Sequence, residues 1–246
     1  MPLSEDTSPP VFAYCSGCSH SHLHRLLLEV LSDQGWADRC LGVSGSGCSA
    51  GMAAYFPFQI VSAPAGQAPA VATGLKRAFP DKLVFTYQGD GDLSARGFDV
   101  LMHMAMRGES LTVICLNNLV MAGSGGQMSP TTLTGQITTS TRLGRSSARS
   151  GRPVKLAETV ARMPQVAFSQ RVALHTPLAV EQARQALIDA LHFQENGQGL
   201  GFIEVLGWCP PYWDRSPVEA REYLTAQVLK TFPLGLYKHK TRRVGL

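Results

Sequence analysis

Residues 82–118 read KLVFTYQGDGDLSARGFDVLMHMAMRGESLTVICLNN, and this stretch decides the fold. Its first part, Lys82 to Gln88, is β-rich and of strand length. Leu111 to Leu116 is apolar almost throughout, as a strand buried on both faces would be. Between them, Ala95 to Arg107 carries helical spacing. A strand, a helix and a strand within about thirty-five residues make a βαβ unit. The alternation continues downstream: Val154 to Met163 predicts a helix, Gln165 to Gln170 a strand, Leu178 to Phe193 a helix, Phe202 to Leu206 a strand and Pro217 to Phe232 a helix. Upstream, Leu23, Leu26, Leu27, Val30 and Leu31 share one helical face. The expected fold is α/β, a mostly parallel sheet flanked by helices, with residues 1–246 forming a single domain.

Composition supports a globular chain and excludes a disordered or fibrous one: 44% of residues are hydrophobic, 16% charged and 8% aromatic. Apolar runs are too short to cross a bilayer, and the start holds Glu5, Asp6 and prolines where a secretory signal needs a basic, then apolar, stretch. A cytoplasmic location without membrane contact is expected. The net charge of +4 draws on loop arginines and the tail Lys238-His239-Lys240-Thr241-Arg242-Arg243, which reads as a solvated terminus. No recognition helix or aromatic stacking pattern accompanies these charges, so nucleic acid is not an expected partner. The least regular stretch is Gly123 to Pro153, with Arg142, Arg145, Arg149 and Arg152 spaced along its second half, and a loop this long in a compact domain is usually functional or covered by a partner.

Where the strand Lys82 to Gln88 ends stands Gly89-Asp90-Gly91-Asp92, and Asn117-Asn118 closes the next strand. Parallel sheets bind ligands at the carboxyl ends of their strands. Glycines let backbone amides approach phosphate oxygens, a helix starting near Leu93 offers its positive end to an anion, and Asp and Asn oxygens suit Mg²⁺. A lone Gly-Asp-Gly is also a common turn. Spacing, position and the intervening helix together make the segment resemble the thiamine diphosphate (TPP) motif. That resemblance implies Mg²⁺ on Asp90, the side chain of Asn118 and the carbonyl of Val120.

Six cysteines fall into two groups. Cys115 lies inside an apolar strand and Cys40 beside an apolar run, and both read as small buried hydrophobes. Cys15 and Cys18 form a C-x-x-C, Cys48 follows in a Gly-Ser loop, and Cys209 follows a strand in Trp208-Cys209-Pro210. Four loop thiols suit either structural zinc or a four-iron, four-sulfur cluster, and spacing alone does not choose. The TPP motif favours iron, because a 2-oxo acid that has lost carbon dioxide on TPP is electron-rich and a cluster accepts electrons one at a time.

The ordered set Tyr14-Cys15-Ser16-Gly17-Cys18-Ser19-His20, Gly47-Cys48, Ala68-Pro69-Ala70-Val71-Ala72-Thr73-Gly74, Thr86 to Asp92, Asn117-Asn118, Gly125-Gly126-Gln127-Met128-Ser129-Pro130-Thr131-Thr132 and Cys209-Pro210 resembles the β subunit of the 2-oxoacid:ferredoxin oxidoreductases, in the short form of the 2-oxoisovalerate and related enzymes. The resemblance implies a TPP-binding fold, with Cys15, Cys18, Cys48 and Cys209 holding one cluster. It further implies cofactor contacts from Ser46, Gly47, Cys48, Ser49, Gly89, Asp90, Gly91, Asp92, Asn118, Val120, Ala122 and Gly123. The implied reaction is oxidative decarboxylation of a 2-oxo acid to acyl-coenzyme A and carbon dioxide, with electrons passing to ferredoxin. An α subunit would supply the Glu that activates the cofactor, beside γ- and δ-type subunits. A non-oxidative TPP lyase or decarboxylase, or a catalytically silent paralogous subunit, are the alternatives.

Two stretches depart from the family pattern. Ala65-Gly66-Gln67 stands where His-Gly-Arg is usual, and Val120-Met121-Ala122-Gly123-Ser124 where Ile-Tyr-Gly-Met-Thr is usual. A rebuilt substrate pocket is expected, and Gly123 in place of a long side chain predicts a bulkier acid. Among the histidines, His20 is a possible active-site neighbour, His22 and His24 read as surface or subunit contacts, His103 as a core residue, and His175 as preceding a helix cap at Thr176-Pro177.

Overall fold

A computed structural model describes residues 14–240. The start holding Glu5 and Asp6 and the tail positions Arg242 and Arg243 lie outside the described residues. In chain order the elements are α1 (Ser19–Asp33), β1 (Cys40–Ser44), β2 (Ile60–Ser62), α2 (Ala68–Ala78), β3 (Leu83–Gly89), α3 (Phe98–Arg107), β4 (Thr112–Asn117), β5 (Val120–Met121), β6 (Gln127–Met128), α4 (Ser147–Ser150), α5 (Leu156–Ala161), β7 (Val166–Ala173), α6 (Pro177–Glu195), β8 (Leu200–Leu206), α7 (Pro210–Trp213), α8 (Pro217–Tyr223), α9 (Leu229–Thr231) and β9 (Gly235–His239).

Seven strands form one sheet in the order β2-β1-β3-β4-β8-β7-β9, and every pairing is parallel except that of the edge strand β9 on β7. Successive side chains of a strand point to opposite faces. Phe85, Tyr87, Ile114 and Leu116 therefore enter one core with α1 and α6, while Val84, Val113 and Cys115 enter the other with α2, α3 and α5. Cys40 and Cys115 are buried core residues. No helix among the described residues is long and apolar enough to cross a membrane.

Three expectations change. The residues after Gly89 pass into a π-helical segment, Asp92–Arg96, so regular helix begins at Phe98 and not near Leu93. The helix expected over Pro217 to Phe232 is divided by a second π-helical segment, Leu224–Val228. His103 lies on the exposed face of α3, since its neighbours Leu101, Met104 and Ala105 take the buried positions. The cap preceding α6 is present: the Thr176 hydroxyl accepts from Ala179 N at 3.1 Å, with Pro177 opening the helix.

Candidate functional site

The carboxyl ends of β1, β3 and β4 open on one pocket. All twelve positions that the family resemblance places at the cofactor line it, and His20, Arg96, Met121 and Ser124 complete the wall. Sequence reasoning left Arg96 unremarked, because nothing in a helical run says which turn faces a cleft.

Asp90 sits at the bottom, 1% exposed. Burial pushes its carboxyl up to about 6, against hydrogen bonds from the Ser129 and Thr131 hydroxyls and the Asn118 backbone. Asn118 N lies 3.4 Å from Asp90 Oδ1, and the Thr131 hydroxyl donates to Oδ2. The Asn118 amide oxygen stands 2.8 Å from the Val120 carbonyl and 3.2 Å from Asp90 Oδ1. Turned by half a rotation, the amide would donate to both. With its oxygen inward, three hard acceptors converge on one point, the donor set that Mg²⁺ takes.

The chain reaches this geometry through Leu119, a non-glycine residue at φ 64°. A left-handed Leu is costly. Asn117 holds it there: its Oδ1 accepts from Leu119 N at 3.1 Å, while Thr132 Oγ1 donates to Leu119 O at 2.6 Å. Asn117 Nδ2 in turn donates to Glu204 Oε1 at 2.7 Å. The two asparagines thus divide the work. Asn118 faces the pocket, and Asn117 is tied into the sheet.

Asp92 is saturated by neutral donors, from Ser46 Oγ (2.5 Å), Gly66 N (2.9 Å) and Gln88 Nε2 (2.6 Å). It organises the loop after β1 and the Ala65-Gly66-Gln67 stretch around the motif.

Gly123 corrects the expectation of a bulkier substrate. A Cβ there would lie 2.4 Å from Gly47 Cα and 2.8 Å from Cys48 N. The missing side chain leaves no room for ligand; it lets the backbone after β5 press onto the Gly47-Cys48 turn, where Gly47 adopts φ 74°.

Behind that turn the four loop cysteines gather from distant parts of the chain. Cys18 caps α1, with its N donating to Cys15 O at 3.0 Å. Trp208 Nε1 donates to Gly17 O at 2.8 Å, and Ser19 Oγ bonds both the carbonyl (2.9 Å) and the N–H (3.1 Å) of Trp208. These bonds lash the C-x-x-C turn to the end of β8 and bring Cys209 beside it. Burial, together with the neighbouring thiols Cys15 and Cys48, pushes the Cys18 thiol up to about 11 and the Cys209 thiol up to about 12. Trp213 Nε1 donates to Asn118 O at 2.9 Å, so α7 joins the thiol group to the pocket.

His20 and His24 are both buried, which corrects the surface reading of His24. Burial lowers His20 to about 3, helped by His24, and His24 itself to about 4, so both rings are neutral. His20 Nδ1 lies 2.8 Å from the Tyr87 hydroxyl, and His24 packs among Tyr14, Phe56 and Tyr87. His22 is exposed, in keeping with its surface reading.

Arg145 also points inward. Of the four loop arginines only Arg142, Arg149 and Arg152 are exposed. The guanidinium of Arg145 donates to the carbonyls of Ser129, Pro130, Thr132, Ser150, Gly151 and Arg152 at 2.7 to 3.2 Å. It therefore closes the loop onto the segment whose Thr131 grips Asp90. Arg145→Met removes six hydrogen bonds, of which those to the Ser129 and Thr132 carbonyls are buried, and we expect faster amide exchange across 129–132 and about tenfold weaker TPP binding in the presence of Mg²⁺, measured by titration. Unchanged affinity would disconnect Arg145 from the site.

Comparison with known proteins follows the same lines. The family described as thiamine pyrophosphate enzyme, C-terminal TPP binding domain, matches residues 45–205. The ketoisovalerate oxidoreductase subunit VorA of Methanothermobacter thermautotrophicus is 36% identical over 235 residues, which is 96% of this chain and 49% of the relative. The 2-oxoglutarate synthase subunit KorB of Methanocaldococcus jannaschii is 30% identical over 97% of this chain and 83% of its own length. The chain thus spans 49% of the VorA relatives it matches, about half. Among solved structures, 2-oxoglutarate:ferredoxin oxidoreductase from Magnetococcus marinus, with 2-oxoglutarate, coenzyme A and succinyl-CoA bound, superposes with a TM-score of 0.74 at 20% identity over 95% of this chain and 83% of that chain, a likeness of fold. With the motif, the pocket and the relatives in agreement, the chain belongs to the thiamine pyrophosphate enzymes through its TPP-binding domain, alongside the VorA, KorB and PorB subunits of the 2-oxoacid:ferredoxin oxidoreductases.

Proposed function

We propose that this chain is the TPP- and cluster-binding subunit of a 2-oxoacid:ferredoxin oxidoreductase that converts a 2-oxo acid and coenzyme A to acyl-coenzyme A and carbon dioxide. The observation that carries the reading is the pairing of a three-oxygen cation cage with four neighbouring thiols, linked through Cys48, which both lines the pocket and lies beside Cys15, Cys18 and Cys209. When bound, TPP supplies the electron sink for loss of carbon dioxide, and a four-iron cluster passes the released electrons on singly.

The chain's own residues do the holding. Asp90, Asn118 and the Val120 carbonyl would seat Mg²⁺, and through it the diphosphate. The Ser46 to Ser49 loop and Gly91-Asp92 line the pocket, and their backbone N–H groups would meet the diphosphate. Cys15, Cys18, Cys48 and Cys209 would ligate the cluster. Four thiolates also suit structural zinc; the TPP motif, whose chemistry calls for a one-electron acceptor, favours the cluster. His20, neutral and fixed by Tyr87, lines the pocket and can help exclude water from it.

A partner subunit facing the pocket would supply the carboxylate that activates the cofactor, with ferredoxin as the electron acceptor and a cytoplasmic location. Anaerobic purification tests this. About four iron and four sulfide per chain, in a brown protein that bleaches with 2-oxo acid and coenzyme A once its partner chains are present, is the expected result. A colourless protein carrying zinc would overturn it.

A further inference from the structure

The pocket is lined by two carboxylates, Asp90 and Asp92, yet the ligands proposed for it are anions. Asp90 is committed to the cation cage, and Asp92 is saturated by three neutral donors. One Arg and no Lys lines the pocket among the described residues, and it is Arg96.

Its backbone is pinned. Arg96 ends the π-helical segment, and Gly66 crosses directly over it at φ 76°. A Cβ on Gly66 would lie 2.3 Å from Arg96 O, and a Cβ on Gly97 would lie 2.5 Å from Gly66 O. Two glycines therefore let the chains interlock where Arg96 leaves the helix. The side chain, by contrast, is unspent. It is exposed, and among the described residues it has no hydrogen bond, ion pair or ring contact, whereas Arg25, Arg39, Arg77, Arg107 and Arg184 each meet a carboxylate. The nearby carboxylate, Asp92, forms no ion pair with it. A guanidinium on a fixed backbone, unpaired and at the wall of an anion-binding pocket, is a fork for two oxygens of a carboxylate or phosphate.

We propose that Arg96 is the anion clamp of this pocket, binding an oxyanion group of the incoming ligand opposite the Asp90 cation cage. The inference rests on the cofactor reading above and deepens it. Two ligands offer such a group, the cofactor's diphosphate and the carboxylate of the 2-oxo acid, and the two are separable.

The test uses the full chain, anaerobically purified, as wild type, Arg96→Gln and Arg96→Lys. Calorimetry with Mg²⁺ and inorganic pyrophosphate, and with Mg²⁺ and TPP, reads the diphosphate arm. The assembled, TPP-saturated complex reads the carboxylate arm as KM against kcat for the 2-oxo acid. Arg96→Gln is expected to weaken one arm by about tenfold to a hundredfold, with partial recovery in Arg96→Lys and no change in the ligand-free melting temperature, since the side chain is exposed. Weaker pyrophosphate binding assigns the clamp to the diphosphate; a raised KM at unchanged kcat and cofactor affinity assigns it to the carboxylate. Wild-type protein that binds ligand while Arg96→Gln changes neither arm overturns the clamp alone. Wild-type protein that binds neither TPP nor pyrophosphate removes the cofactor reading and the clamp with it.

Discussion

Asp90→Asn is expected to weaken Mg²⁺-dependent TPP binding by on the order of a hundredfold or more, while making the ligand-free protein more stable at neutral pH. The first effect follows from loss of the one charged oxygen in the three-acceptor cage formed with Asn118 and Val120. The second follows from the sign of the carboxyl's shift. Burial moves it from 3.8 to about 6, so in the ligand-free fold ionisation costs on the order of 3 kcal/mol. A raised carboxyl favours folding while it is protonated, below about pH 4, and that contribution is lost as pH rises through about 6. Asparagine carries no such penalty at any pH. Wild type and variant should therefore melt alike near pH 4, diverge between about pH 4 and 6 and stay apart above that, with the variant higher. Mg²⁺ needs the ionised form, so wild-type affinity should fall about tenfold for each pH unit below about 6. Chemical denaturation and TPP titration across this range check both halves. A variant destabilised at pH 7.5 would show that Asp90 serves the fold and not the ligand.

The same opposition of local and distant effects marks what the sequence discloses. The βαβ unit around Gly89-Asp90-Gly91 is legible because strand period, helix spacing and the turn all lie within one stretch, and the sheet carries it on adjacent strands β3 and β4. The division of the cysteines is legible for a similar reason: Cys115 sits in an unbroken apolar run. Thr131 and Arg145 are not legible as site supports. Each acts on a partner 13 to 41 residues away through a loop with no periodicity. Gly123 misleads by its resemblance, since an absent side chain can mean space for ligand or space for backbone, and only the approach of Gly47 decides. The strand expected over Gln165 to Gln170 stops short because the next residue is Arg171. A charge in a strand ordinarily marks the end of burial. Here β7 continues to Ala173, because register sets Arg171 directly beside Glu204 of β8.

That buried pair carries the second large prediction. Arg171 and Glu204 are 1% and 0% exposed. Arg171 Nε donates to Glu204 Oε2 at 2.9 Å, and Nη1 donates to Glu158 Oε1 at 3.0 Å, Pro233 O at 3.0 Å and Tyr237 Oη at 2.8 Å. The guanidinium also lies 5.2 Å and 5.1 Å from the rings of Phe232 and Tyr237. Burial alone would lower its pKa, but Glu204 and Glu158 hold it above the usual range. Replacing one member of such a pair leaves the other charge buried, which costs about 3–5 kcal/mol, whereas replacing both by neutral groups of similar volume costs far less. Arg171→Met is therefore expected to lower the melting temperature by roughly 10 °C in a chain of this size. Adding Glu204→Gln should restore much of that loss. Cofactor binding should separate the two variants from simple instability. Glu204 also accepts from Asn117 Nδ2 and Ala157 N, and Asn117 holds the left-handed Leu119 that aims Asn118 and Val120 at the cation site. The double variant keeps an amide that can still accept from Asn117, so it should recover TPP affinity together with stability. Denaturation curves and TPP titrations on the two variants decide: if Glu204→Gln brings no recovery in either, the pair is not coupled, and the anchor of the site lies in Asn117 alone.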